Sequence, residues 1–103
     1  MRYRTLALEL PAREQRLRTG VEVPGGKTYE IAAVAWSSSE DAVLLVRRDG
    51  VYDIELSSKA LDYGGEWIPY GQRIEGPAVV EVGARSLSDF TAQVVVSLCW
   101  REV

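Results

Sequence analysis

The sequence predicts an all-β protein, built as a single antiparallel β-sandwich or jelly-roll-like barrel of about seven to eight strands. Apolar and polar residues alternate along most of the chain with the two-residue period of half-buried strands. Gly, Pro and Ser are concentrated in the joints between these segments, at roughly regular spacing. The 103 residues and 47% apolar content suit one domain, spanning residues 1–103, with one core.

Two strands are predicted before the turn at Pro24-Gly25-Gly26. Residues 2–10 alternate, with leucines on one side, and Pro11 ends the segment because proline cannot donate a ladder hydrogen bond. Residues 14–23 also alternate, and we interpret them as a strand. A short helix over residues 12–19, with Gly20 as its C-cap, is the alternative, since Ala, Arg, Glu, Gln and Leu are good helix formers.

A third strand is predicted over residues 27–36, after a turn at Pro24-Gly25-Gly26. Alternation places two sets of apolar residues on opposite faces: Tyr29, Ile31, Ala33 and Ala35 on one, and Ala32, Val34 and Trp36 on the other. Because both faces are partly apolar, we expect this strand to be central or to lie in a subunit contact.

A hairpin is predicted over residues 43–56. Asp49 and Gly50 alone separate two strand-like runs, and a type I′ turn needs the positive φ that these residue types tolerate. Counting outward from the turn pairs Arg48 with Val51, Arg47 with Tyr52, Val46 with Asp53, Leu45 with Ile54, Leu44 with Glu55 and Val43 with Leu56. This register predicts a core-facing set of Val43, Leu45, Ile54 and Leu56. It also predicts that Leu44 and Val46 point away from the core and need a cover.

Residues 57–73 lack a sustained period and are predicted to form a loop. This loop contains three aromatic residues: Tyr63, Trp67 and Tyr70. Aromatic side chains supply a large contact area with few torsions to freeze, so the loop suits protein recognition or sugar stacking. The alternative is that Trp67 and Ile68 plug an open end of the sandwich. Trp67→Ala separates the two hypotheses, because only loss of a plug lowers the melting temperature strongly.

Two more strands complete the predicted fold. Gly76-Pro77 introduces an alternating segment over residues 78–85, and a turn over residues 86–89 follows. Residues 91–103 form the longest predicted strand. Its apolar face carries Ala92, Val94, Val96, Leu98 and Trp100.

The composition argues against catalysis. The chain has no His, and Cys99 is its only cysteine, so no internal disulfide can form and no imidazole activates the thiol. A zinc site would need carboxylates and one Cys, which is an unusual ligand set. Asp53 and Glu55 lie on a narrow ribbon that implies no cleft for a glycosidase-type carboxylate pair. We therefore predict no enzymatic activity, no cofactor and no metal site.

Charge and hydropathy exclude further classes of partner. The net charge of −3 gives no basic face for nucleic acid. No segment has the length of a transmembrane helix, and the N-terminus lacks the apolar core and cleavage site of a signal peptide. We expect a cytoplasmic protein unless it is carried in a virion. The absence of His and Asn prompts the hypothesis of a thermostable protein, whereas the excess of Arg over Lys is equally explained by a GC-rich genome.

The order of features resembles a known group of proteins. Val23-Pro24-Gly25-Gly26-Lys27-Thr28-Tyr29 leads into a strand and is followed by the 43–56 hairpin. Trp67-Ile68-Pro69-Tyr70-Gly71, Gly76-Pro77-Ala78-Val79-Val80-Glu81-Val82 and the alternating terminal strand come next. This organisation resembles small β-sandwich structural proteins of tailed or icosahedral phages, especially capsid decoration (cementing) proteins and spike-like modules. The resemblance implies a virion component that binds a capsid lattice, often as a trimer, without enzymatic activity.

These observations lead to a non-enzymatic structural or binding protein as the first functional hypothesis. Its expected partners are further copies of itself, with a trimer as the first expectation, and a major capsid protein. The candidate interface residues are those on the second, apolar strand faces: Leu44, Val46, Val34, Trp36 and Val79. The alternative is a carbohydrate-binding module that uses Tyr63, Trp67 and Tyr70. An enzyme using Asp41, Asp53 or Glu66 ranks last, because no base, nucleophile and orienting group can be assembled.

Overall fold

The computed structural model describes residues 1–57 and 67–103. These residues form eight strands: β1 (Arg2–Leu10), β2 (Gln15–Val23), β3 (Thr28–Ser38), β4 (Ala42–Arg48), β5 (Val51–Ser57), β6 (Ile68–Glu75), β7 (Ala78–Ser86) and β8 (Ala92–Glu102). Sheet A has the strand order β1-β8-β3-β6, and sheet B has the order β2-β7-β4-β5. All pairings are antiparallel, and the two four-stranded sheets confirm the predicted β-sandwich class.

Strands with uninterrupted alternation lie where the sequence predicts them. β1 matches the predicted segment over residues 2–10, β7 is one residue longer than predicted, and β8 is one residue shorter than predicted at each end. The segment for which a helix was the alternative forms strand β2, so the strand interpretation is confirmed. Its pairing with β7 shifts between Thr19 and Val21, which leaves Gly20 as an extra residue in β2.

A β-bulge in β3 changes which residues of that strand face the core. The pairing of β3 with both of its neighbours shifts between Ile31 and Ala33: Ala32 is an extra residue relative to β8, whereas two residues of β6, Tyr70 and Gly71, lie opposite it. A bulge reverses the phase of alternation beyond it. Val34 and Trp36 therefore belong to the core together with Ile31. Their predicted position on a second, exposed face is wrong for this reason.

A second bulge changes the register of the hairpin between β4 and β5. The predicted pairs Arg48–Val51 and Arg47–Tyr52 are confirmed, but Val46 then pairs with Ile54, because Asp53 is an extra residue in β5. The remaining predicted pairs are wrong by one residue. Four side chains consequently face the core: Leu44, Val46, Ile54 and Leu56. The predicted outward orientation of Leu44 and Val46 is corrected by this shift. Val43 and Leu45 are buried as predicted, but on the other face of β4, outside the core cluster that contains Leu44 and Val46.

Strand β6 occupies residues that the sequence analysis assigned to a loop. Part of that predicted loop, residues 58–66, lies outside the described residues. The rest contains β6, whose alternation is interrupted by Pro69 and by Gly71, which has a φ of +63°. Ile68 and Tyr70 pack against the core, as inward-facing residues of a strand should. The loop prediction is therefore wrong for this segment.

The core lies between the sheets and is made mainly by the central strands β8, β3, β7 and β4. Its fully buried aliphatic side chains include Ile31, Val34, Leu44, Val46, Val80, Val82, Val96 and Leu98. Each of these contributes about 1.5–3 kcal/mol through removal of apolar surface from water. Along one lateral side of the sandwich, Arg4 Nη1 of β1 donates a hydrogen bond to the Gly20 carbonyl of β2 at 3.1 Å. The other lateral side lies between the edge strands β5 and β6.

Candidate functional site

The outer face of sheet A has a central area without charged side chains, which we call the uncharged face. It comprises three rows of paired residues on β1, β8 and β3: Tyr3, Cys99 and Ala33; Thr5, Ser97 and Ala35; and Ala7, Val95 and Ser37. The side chains of most of these residues are small, so the two central strands form a low strip. Ion pairs lie at one end of the sheet, where Glu30 contacts Arg101 and Arg73.

Two aromatic residues meet above this strip. Tyr3 is on β1, and Trp67 immediately precedes β6, at the opposite edge of sheet A. Their ring centroids are 6.2 Å apart at an interplanar angle of 63°, which is an edge-to-face contact. Both rings remain accessible, with 67% of Tyr3 and 45% of Trp67 exposed. The pair forms an exposed aromatic ridge above small side chains.

A hollow of about 150 Å³ lies on the same face. It is lined by Ala35, Trp36, Ser37, Val95 and Ser97. Val95 is 38% exposed although it occupies the central strand β8. The combination of an aromatic ridge, a hollow and an absence of charge is typical of the central part of a protein–protein interface.

The aromatic residues predicted to form one binding platform are not brought together. Tyr63 lies outside the described residues. Trp67 contacts Tyr3 on the outer face of sheet A, whereas Tyr70 packs on the core side of the same sheet. Trp67 and Tyr70 therefore cannot offer a shared stacking surface to a sugar ring. Tyr3 is the partner that sequence reasoning missed, although its outward position follows from the alternation of β1.

The predicted interface residues are mostly inside the protein. Val34, Trp36, Leu44 and Val46 are buried in the core, because of the bulge in β3 and the register shift of the hairpin. Val79 alone among the five is exposed, at 37%. It lies on the outer face of sheet B, paired with Glu22, and its backbone N–H donates to the Asp49 carboxylate at 3.3 Å. Its surroundings are therefore polar.

A second concave feature, which we call the lateral groove, separates the edge strands β5 and β6. Its volume is about 440 Å³. It is lined by Asp53, Ile54, Leu56, Ile68, Pro69, Tyr70 and Gln72. The Tyr70 hydroxyl of sheet A donates a hydrogen bond to Asp53 Oδ2 of sheet B, and Arg48 Nε lies 3.4 Å from the same oxygen. This contact links the two sheets across the groove.

The polar contact across the groove has a consequence at alkaline pH. Burial, and then the hydrogen bond to Asp53, raise the pKa of Tyr70 above its ordinary value of 10.0. The folded protein therefore retains a proton that the unfolded chain loses, so this contribution to stability is complete below pH 10 and declines as the pH rises above it. A single proton gives a slope of at most about 1.4 kcal/mol per pH unit, and solvent screening reduces it.

We expect Tyr70→Phe to flatten the alkaline part of the stability curve. Urea denaturation at pH values from about 9 to 12 measures this, as the difference in slope between the variant and the wild type. Tyr3→Phe removes a hydroxyl from the outer face of sheet A and should retain the wild-type slope. Equal slopes for Tyr70→Phe and wild type would contradict the expectation.

The described residues show few features of a catalytic or metal centre. Within residues 1–57 and 67–103, no group of three or more His, Cys, Asp or Glu side chains is placed to hold a metal ion. Cys99 is a buried free thiol whose Sγ lies 3.8 Å from the Ala33 carbonyl oxygen. None of the described segments forms a helix of the length and apolar character needed to cross a lipid bilayer.

Comparison with known proteins does not supply a family. Neither protein-family models, nor curated proteins, nor solved structures gave a match to this chain. The uncharged face and the lateral groove are therefore the features from which a function can be inferred.

Proposed function

We propose that the protein is a non-enzymatic structural module that associates with other protein surfaces through the uncharged face of sheet A. The observation that carries this proposal is the exposed Tyr3–Trp67 pair above a strip without charged residues. Aromatic side chains surrounded by uncharged neighbours lose little hydration free energy when they are buried by a partner. Self-association into a homo-oligomer is the first form of this proposal.

The outer face of sheet B is less suited to the same role. Its central strand β7 carries Glu81, whose carboxylate is bound by Arg47 Nη2 at 2.8 Å, and Arg85 lies further along the same face. Burying these charged groups would carry a desolvation cost that the ion pair offsets only in part. Exposed Val79 is thus an isolated apolar residue in a polar setting, and it provides a matched control for Val95.

The setting we propose for this module is a viral particle, in which it decorates and stabilises a capsid. The resemblance to small phage β-sandwich proteins supports that setting, and it makes a trimer the first stoichiometry to test. A structural role is compatible with the low catalytic potential of the side chains: Cys99 is buried, and the chain has no His.

The experiment is sedimentation equilibrium on the wild type and two arginine variants. Val95→Arg places a charge in the middle of the uncharged face, whereas Val79→Arg makes the same change at an equally exposed valine on sheet B. We expect a wild-type oligomer at about 10–100 μM that Val95→Arg weakens by at least about tenfold, or about 1.4 kcal/mol. Val79→Arg should associate as the wild type does.

Two results would contradict this proposal. A wild type that remains monomeric up to about 1 mM would rule out functional self-association, because a dissociation constant above that concentration means a binding free energy weaker than about 4 kcal/mol. If Val79→Arg dissociates the oligomer and Val95→Arg does not, the interface lies on sheet B instead of sheet A. Circular dichroism of both variants establishes that each remains folded.

A further inference from the structure

We propose that the lateral groove binds a small neutral amphipathic molecule, with an apolar ring or chain and one hydroxyl group or similar hydrogen-bond donor. The groove lies between β5 and β6, on a different side of the molecule from the uncharged face. Its volume of about 440 Å³ is within the range of about 300–1,000 Å³ that is usual for small-molecule sites. This site is independent of the proposed self-association.

The floor of the groove would contact the apolar part of the proposed ligand. Ile54, Leu56 and Ile68 contribute side chains that pack against the core on one side and line the groove on the other. Pro69 adds a rigid apolar ring from β6. A pocket that combines aliphatic side chains with a few polar groups favours a ligand body without charge.

The polar groups of the groove explain why the ligand should carry a hydrogen-bond donor. Asp53 Oδ2 accepts the Tyr70 hydroxyl and is the oxygen nearest to Arg48 Nε, whereas Asp53 Oδ1 has no hydrogen-bond partner among the residues that the structure describes. A carboxylate oxygen is an acceptor only, so the matching ligand group must donate. The Asp53 side chain is 17% exposed and lines the groove, so a ligand donor at Oδ1 replaces water at that oxygen.

Charge balance selects a neutral ligand. Asp53 and Arg48 carry opposite charges 3.4 Å apart, so the polar end of the groove has no net charge. An ammonium group bound to Asp53 would approach Arg48 and would lose much of its own hydration. A carboxylate group would be repelled by Asp53. A hydroxyl group avoids both costs.

The edge strands β5 and β6 are less suited to pairing with a strand from another chain. Pro69 lacks a backbone N–H, and Gly71, at φ +63°, interrupts the regular course of β6. The bulge at Asp53 interrupts β5 in the same way. Such features protect edge strands against pairing with another chain. The groove between the strands, rather than either edge, is the feature that fits an occupant.

Three probes of similar shape test the proposal: cyclohexanol, cyclohexylammonium and cyclohexanecarboxylate. Each is titrated into the isotope-labelled full chain while backbone amide resonances are followed by NMR. We expect cyclohexanol to shift the amides of Ile54, Leu56 and Ile68 and to bind at least about threefold more tightly than either ion. Asp53→Asn leaves Arg48 without its carboxylate, so it should strengthen carboxylate binding by about fivefold or more.

Two further variants are titrated with the same three probes. Glu55→Gln removes a neighbouring charge that does not line the groove, and it should leave the order of the probes unchanged. Gln72→Arg adds a cation at an exposed lining position and should favour the carboxylate probe, so the charge test does not depend on the folding of Asp53→Asn. The proposal fails if about 20 mM cyclohexanol leaves the β5 and β6 amides unmoved, or if cyclohexylammonium binds more tightly.

Discussion

Gly83→Ala is expected to unfold the protein or to destabilise it by more than about 3 kcal/mol. Gly83 is on β7, in the middle of sheet B, paired with Leu17 on one side and Leu45 on the other. A Cβ atom at this position would lie 1.9 Å from the Arg16 carbonyl oxygen and 2.9 Å from Leu17 Cα. These are backbone atoms of β2, so the clash can be relieved only by displacing that strand and breaking its ladder.

Circular dichroism with urea denaturation measures the effect of Gly83→Ala, and Gly25→Ala is the matched control. The nearest atom to a Cβ at Gly25 is Pro77 Cδ at 3.8 Å, which is an ordinary contact. Gly25 does not have a positive φ, so Gly25→Ala should change stability by less than about 1 kcal/mol. Similar unfolding midpoints for the two variants would show that β2 does not approach β7 this closely.

Leu44→Ala is expected to lower the free energy of unfolding by about 2–5 kcal/mol. Leu44 is fully buried in the core and pairs directly with Leu56 across the hairpin. Removal of its isobutyl group leaves a cavity that the surrounding aliphatic side chains fill only in part. Val51→Ala, at a position that is 64% exposed near the hairpin turn, should change stability by less than about 0.5 kcal/mol.

A double-mutant cycle tests the register that places Leu44 in the core. Leu44→Ala and Leu56→Ala should be coupled by about 0.5 kcal/mol or more, because their side chains lie opposite each other on the same face. Val43→Ala and Leu56→Ala should be nearly additive, although one-for-one pairing from the turn would make Val43 the partner of Leu56. Coupling of Val43, and not of Leu44, to Leu56 would restore the uninterrupted register.

The difference between these two registers shows which parts of the fold are predictable from the sequence. Alternation predicts β1, β7 and β8 because their apolar residues keep one phase from end to end. It fails in β2, β3 and the hairpin, where the single extra residues Gly20, Ala32 and Asp53 reverse the phase. Only the first of these positions is a glycine, so the local sequence contains little warning of the other two bulges.

Sequence reasoning reached only part of the candidate sites, for a different reason. It selected Trp67 and Tyr70 by residue type, but the partners that give these residues their roles are Tyr3 and Asp53. Tyr3 and Trp67 come from opposite edges of sheet A, and Asp53 and Tyr70 come from different sheets. Such contacts depend on the order of strands within the sheets, and hydrophobic periodicity carries no information about that order.

The three tryptophans occupy three different environments, which makes the native chain its own optical reporter. Trp36 is buried, Trp100 is half-buried, and Trp67 is exposed beside Tyr3. A soluble quencher such as acrylamide reaches an exposed indole far more readily than a buried one. Association through the uncharged face would therefore reduce quenching of Trp67 fluorescence, whereas occupancy of the lateral groove, which has no tryptophan among its described lining residues, would leave it unchanged. Trp67 thus reports on the uncharged face, and not on the groove, without an attached dye.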